Sequence, residues 1–249
     1  MSINKRKINE LIDENYVYAS VLFYFGIEFY NYSEKTLEEA CSEKGIKVSV
    51  LIKELEQVSQ KGEEHDLFLM SYPIDLIIEY LKHRHYIFIK QKLPFLMRLV
   101  GNLKSNNPND EGLIKDLQFV LPIFVEDFIH HIYEEEDRLF SYILALKKAL
   151  KEDYKPGELY YSLEKNAIHK FAVEHEVHDD EMIGIRNITN DYAVDSTTDR
   201  SLKVMFSALE EFENDLKVHS KVENEILFPK ALMLEKEVVK KFRSKIQLN

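Results

Sequence analysis

LQFVLPIFVEDFIHHIYEEEDRLFSYILAL, residues 117–146, is the stretch that settles the fold. Steps of three and four along it join Leu117, Leu121, Phe124, Phe128, His131, Glu135, Leu139, Tyr142 and Leu146. A stripe at that spacing lies on one side of an α-helix and turns toward a core. Two of its members are out of place in an apolar seam. His131 and Glu135 sit one turn apart where leucines are expected, so the stretch predicts a long helix that carries polar side chains inward.

Three other segments share this character. With residues 113–150 as the second, they run over roughly 73–103, 157–191 and 198–245. The fourth has the stripe Leu202, Met205, Leu209, Phe212, Leu216, His219, Glu223 and Ile226, again with a histidine and a glutamate one turn apart. The third has Ile168, Phe171, His175, His178, Met182 and Ile185, and the first has Ile74, Ile78, Leu81, His85 and Phe88. His83 and His130 fall off the seam by phase. The breaks GNLKSNNPNDEG, KEDYKPGE and NDYAVDSTTD are rich in turn residues. Four helices with short connections read as an all-α, up-down-up-down four-helix bundle over 72–249.

Residues 1–62 read as a small helical domain. Tyr16 to Phe25 is apolar and closes at Gly26. Thr36 is an N-cap, with Glu39 at the capping-box position and Gly45 as the stop. VSVLIKELEQV then runs toward Gly62, and the polar QKGEEHD is expected to link the two domains.

Composition narrows the function classes. The 249 residues are 45% hydrophobic with only 7 Gly and 6 Pro, which favours helices over a turn-rich sheet protein. The 33 basic and 44 acidic residues leave a net charge of −11, so no nucleic acid is expected as a partner. The single cysteine, Cys41, excludes an internal disulfide framework. The N-terminal MSINKRKINELIDENY lacks the apolar stretch of a signal peptide, and no segment has the apolar length of a membrane span. A cytoplasmic protein with no membrane partner is the expectation.

An H-x-x-x-E spacing alone is weak evidence. Roughly one such pair arises by chance in a chain this rich in acids, and His130 with Glu134 reads as that accident. A lone seam histidine is more often a hydrogen-bonded core residue. Histidines on all four stripes change the balance. Burying four imidazoles and two carboxylates uncompensated would cost several kcal/mol for each charged group, and shared cations remove that penalty. Imidazole nitrogen and carboxylate oxygen without thiolate suit iron, and also manganese or zinc. Phe88, Phe124, Phe128, Phe171 and Phe212 would wall such a site, although aromatics in these positions are more often plain core.

HHIYEEEDRLF (130–140) and HSKVENEILFP (219–229) resemble the signature helices of hemerythrin-like domains. VEHEVHDDEMIGIRNITNDY (173–192) and LFYFGIEFYNYSEKTLEEACSEKGI (22–46) resemble the di-iron proteins that repair iron–sulfur clusters. The resemblance implies a non-haem site for two iron ions, with ligands falling on His131, Glu135, His175, His219 and Glu223. Counting back from Leu93-Pro94 puts Tyr86 near the first-helix ligand position, with His85 one residue away. Seam phase favours His85 over His83, and His85 completes the set. The family pattern does not require His178, which could neighbour the ligands or donate protons in the pocket.

The leading domain departs from the family. The usual cysteine pair is replaced by Tyr30, Asn31, Tyr32 and Ser33, and Cys41 comes later as a small buried residue. This leaves that domain as a packing or dimerisation unit, and a homodimer as the oligomeric expectation. The resemblance implies a stress-response role in repairing clusters damaged by oxidative or nitrosative stress, with iron–sulfur proteins as partners. The alternative is a protein that binds or senses oxygen or nitric oxide, a small gas ligand, without turnover. A third reading is a bundle whose polar seam is satisfied without metal.

Overall fold

The structure is a computed structural model. It describes residues 2–15, 17–60, 70–151, 167–177 and 180–247, with only the backbone described at 57–60, 174–177 and 245–247. The described residues form an all-α helical bundle fold, in which the isolated bridge between Lys7 and Thr36 is the one pairing of extended backbone.

The leading helices are α1 (Ile8–Glu14), α2 (Tyr18–Tyr24), α3 (Phe29–Tyr32), α4 (Leu37–Lys44) and α5 (Val48–Gln60). Local chemistry sets their ends. Gly26, after α2, has φ +76°. At α4, Thr36 Oγ1 accepts from Glu39 N–H at 3.3 Å, and Glu39 Oε2 accepts from Thr36 N–H at 2.8 Å. Two amide donors at the helix start are thus satisfied reciprocally. Gly45 ends the helix in the left-handed region at φ +68°, where a side chain would be strained. Thr36→Ala is expected to lower stability by about 1 kcal/mol, seen as an earlier urea midpoint at unchanged slope. An unchanged midpoint would mean that water replaces the cap without loss.

Three of the long segments are continuous helices that widen once into a π turn. The first is α6 (Ile74–Ile87), a π turn at Phe88–Lys92 and α7 (Leu93–Gly101). The second is α8 (Glu111–Glu134), a π turn at Glu135–Phe140 and α9 (Ser141–Lys151). The third segment is the exception. Its described part is two helices, α10 (Ile168–Val177) and α11 (Ile183–Thr189), with a turn at 180–182. Asp180 begins that turn, and a short acidic side chain that competes for backbone N–H groups favours turns over helix. The expected start of that segment near 157, the KEDYKPGE break beyond residue 151, the QKGEEHD linker beyond residue 60 and His178 lie outside the described residues. The fourth segment is α12 (Arg200–Val222), a π turn at Glu223–Leu227 and α13 (Phe228–Gln247).

The chain divides into two compact units. One groups residues 1–63 with 88–123 and 182–215. Within it the leading helices are tied to the long ones: the Phe23 and Phe95 rings lie 5.0 Å apart, and Glu28 Oε1 is 3.1 Å from Arg98 Nε. The other groups 64–87, 124–181 and 216–249. Its core draws on four separate stretches of chain: Ile77, Ile78 and Leu81; Leu139 to Ala149; Ile168; and Val222 to Val238. Burying these aliphatic side chains, at roughly 1.5–3 kcal/mol each, is what holds the four stretches at fixed depth. That fixed depth lets single polar residues on different helices meet.

Candidate metal centre

The meeting point lies in the second unit. His85 of α6, Glu135 at the head of its π turn, His219 of α12 and Glu223 at the head of its π turn are all buried. One ligand atom from each lies within 4.8 Å of all the others. His85 Nε2 is 3.2 Å from His219 Nε2 and 3.2 Å from Glu135 Oε2. His219 Nε2 is 3.4 Å from Glu223 Oε2 and 4.0 Å from Glu135 Oε2.

Local structure accounts for this convergence. In each His-x-x-x-Glu pair the two side chains are one α turn apart and share a face. Both pairs end where a π turn begins, at Glu135 and at Glu223. A π turn inserts one extra residue, so the apolar stripe resumes after the ligands with a shifted phase, and such turns concentrate at functional sites. Accordingly the consecutive residues Leu139 and Phe140 are both buried at the end of the second helix's turn, and Ile226 and Leu227 at the end of the fourth's.

At the first-helix position, counting back from Leu93-Pro94 to the place the resemblance implies lands near Tyr86, whereas seam phase points to His85. His85 is buried, while Tyr86 and His83 are exposed.

His131 is half-buried, and its Nε2 lies 3.0 Å from Glu135 Oε1. The two oxygens of Glu135 therefore face different imidazoles, Oε2 toward His85 and His219, Oε1 toward His131. The backbone of His175 lies in α10, but its side chain is outside the described residues. His130 is exposed, in keeping with its phase.

Electrostatics follow from the packing. Burial pushes the His219 imidazole toward lower pKa, but the Glu223 and Glu135 carboxylates beside it outweigh burial, and the pKa rises from 6.5 to about 9. His131 moves the same way: burial lowers it, and Glu135, then Glu181 and Glu223, raise it further than burial lowers it.

The donor set and its spacing fit a cation. Ligand atoms held about 2.1 Å from one metal lie about 3 Å apart when adjacent and about 4 Å when opposite. The four measured separations fall near those values. With nitrogen and oxygen donors and no thiolate, the cluster suits iron, manganese or zinc.

Two acidic residues at the site were not among the sequence candidates. Glu136 Oε1 is 2.8 Å from His85 Nδ1. Glu181 Oε1 is 3.9 Å from His131 Nε2. Helical phase found neither, because Glu136 is one residue off the inward stripe and Glu181 sits in the turn between α10 and α11. The run Glu134-Glu135-Glu136 was the available signal for the first.

No family model matches the chain. It is 26% identical over 238 residues to a probable iron-sulfur cluster repair protein of Haemophilus influenzae, covering 93% of this chain and 99% of that protein. It is 26% identical over 218 residues to the iron-sulfur cluster repair protein YtfE of Escherichia coli, covering 86% and 91%. The corresponding protein of Escherichia fergusonii is 25% identical over the same length.

Proposed function

The chain is related to the iron–sulfur cluster repair proteins, and we propose that it is a non-haem di-iron protein acting in the repair of iron–sulfur clusters damaged by oxidative or nitrosative stress. The posture of Glu135 is the observation that carries the two-metal reading. One oxygen joins His85, His219 and Glu223, and the other turns to His131. A carboxylate that serves two sets of imidazoles from its two oxygens is placed to bridge two cations. His85, His131, Glu135, His175, His219 and Glu223 would hold them.

Bound iron would supply a redox-active Lewis acid with open positions for oxygen or nitric oxide. The protein's part is to bind and shield. His85 and His219 present Nε2 atoms from two helices. Phe140 stacks on the His85 ring with centroids 5.6 Å apart, and Phe128 lies 6.4 Å from the His131 ring, so apolar surface backs two of the imidazoles. Glu135 and Glu223 supply negative charge that favours a more oxidised centre.

A cytoplasmic setting with iron–sulfur proteins as partners is part of the proposal. Among the described residues no helix is long and apolar enough to cross a membrane, which is compatible with it. One observation favours the alternative, reversible binding of oxygen or nitric oxide. Cys41 is buried, and Tyr30, Asn31, Tyr32 and Ser33 stand where relatives of the resembled family carry thiols, so thiolate chemistry has no accessible group in the leading helices.

Protein purified anaerobically is expected to carry two irons per chain by metal analysis. Adding nitric oxide under the same conditions separates the readings. Reduced nitrogen product, or restored activity of a nitric-oxide-damaged iron–sulfur enzyme, supports repair. A stable, reversible adduct supports binding alone. A preparation that takes up no metal would leave the polar seam as structure only.

A further inference from the structure

We propose that Glu136 is a positioning residue for the metal centre: by accepting the Nδ1–H of His85, it fixes which nitrogen of that ring is left to bind a cation. The inference rests on His85 being a ligand. It adds a residue outside the ligand set, with a separate role.

The geometry singles out this contact. The His85 ring is 1% exposed, so water is poorly placed to decide its tautomer. Its two nitrogens meet different environments. Nδ1 lies 2.8 Å from Glu136 Oε1, and an ionised carboxylate can only accept, so the proton belongs on Nδ1. In the neutral ring Nε2 then carries the lone pair. Nε2 is the atom that points at the cluster, 3.2 Å from both His219 Nε2 and Glu135 Oε2.

The device is built into one turn of helix. Glu135 and Glu136 are consecutive residues of the π turn Glu135–Phe140, and they take opposite sides of one imidazole. Phe140, at the end of the same turn, lies parallel to the ring within 8°. A single π turn therefore holds the His85 ring at Nδ1, packs on one face of it and sets a second carboxylate beside Nε2. Glu136 is 31% exposed, so its carboxylate reaches solvent while one oxygen meets a buried ring. A carboxylate behind a ligating histidine fixes orientation and raises the basicity of the ligand nitrogen, and its loss typically weakens metal binding 10–100-fold.

The test compares E136A and E136Q with the full wild-type chain. Iron(II) affinity is read by competition with a chelator, and the His85 ring by nitrogen NMR of the zinc-loaded protein. E136A is expected to bind iron(II) about 10–100-fold more weakly and to lose the protected Nδ1–H signal. In E136Q the amide oxygen still accepts that proton, so the signal should persist and affinity should recover to within several-fold of wild type. Thermal unfolding of the chelated proteins should be nearly the same for all three, because Glu136 is partly exposed. If E136A binds iron as tightly as wild type, the proposal is overturned while the metal reading stands. Wild type without metal sinks the metal reading instead. Should E136A not fold, E136Q carries the test: a retained signal with recovered affinity supports the proposal, and a retained signal with a hundred-fold loss overturns it.

Discussion

His219→Ala is expected to leave the purified protein with roughly a tenth or less of its iron, since losing a ligand should cost at least as much as the 10–100-fold seen for groups behind ligands. The reason is where His219 sits. It is buried with its Nε2 within 3.2–4.0 Å of His85 Nε2, Glu135 Oε2 and Glu223 Oε2, so its loss opens a gap among the ligand atoms themselves. The same variant should also be less stable after chelation. Without metal, the His219 imidazolium is the cation that offsets the charges of Glu135 and Glu223, and removing one partner of a buried ionic cluster costs about 3–5 kcal/mol. The pH dependence has a definite sign. His219 holds its proton up to about pH 9 when folded, against 6.5 as its ordinary value. Its stabilising contribution is complete below pH 6.5 and is lost as pH rises through 9. The melting temperature of chelated wild type should therefore fall over that window more steeply than that of chelated His219→Ala. Parallel profiles would remove the electrostatic account, and full iron content in the variant would remove the ligand assignment. His130→Ala, at an exposed position one residue from His131, should keep wild-type iron.

How much of this was legible without coordinates depended on helical regularity. The α4 cap and stop follow from Thr36, Glu39 and Gly45 alone, because they are local chemistry. The inward placement of His85, Glu135, His219 and Glu223 follows from stripes of three and four, because up to each ligand the helices are regular. Beyond those points the rule of phase loses its footing. Between the first-helix position and Leu93-Pro94 lies the π turn at Phe88–Lys92, and counting back across it to the place the resemblance implies gives Tyr86, although it is His85 that is buried. Within the π turn at Glu135–Phe140, Glu136 reaches His85 although it lies one residue off the stripe of threes and fours. Pattern reading assumes one angle per residue, and the site is built where that angle changes. The third segment shows the same limit: one amphipathic stripe runs through what the structure resolves into α10 and α11, because a stripe records which side is apolar and not whether the backbone is continuous.

Glu213→Ala is expected to destabilise the protein by about 3 kcal/mol while leaving its iron content unchanged. Glu213 lies on α12, outside the metal cluster, and is 4% exposed. Its Oε1 accepts from Arg186 Nη1 at 2.6 Å, and its Oε2 accepts from the Tyr192 hydroxyl at 2.6 Å. Burial, reinforced by the Glu213 carboxylate, holds the Tyr192 phenol well above its ordinary range, so it remains a donor. What these bonds secure is an unusual backbone. Asn190, Asp191 and Tyr192 have φ of 51°, 55° and 59°, three consecutive left-handed residues after the end of α11. Each non-glycine residue there is disfavoured by about 1 kcal/mol or more, and tyrosine lacks the short polar side chain that eases the strain for asparagine and aspartate. The Tyr192–Glu213 bond anchors the residue least suited to this conformation. Glu213→Ala removes that anchor together with the carboxylate facing the Arg186 guanidinium. Glu213→Gln has one acceptor oxygen for two donors and should fall between alanine and wild type. Replacing Arg186 with Met and Glu213 with Leu together should recover part of the loss, because no buried charge is then left facing an apolar partner. Hydrogen exchange at residues 190–192 should quicken in Glu213→Ala. A stability change below about 0.5 kcal/mol, within the range of ordinary surface substitutions, would mean that the left-handed run holds itself.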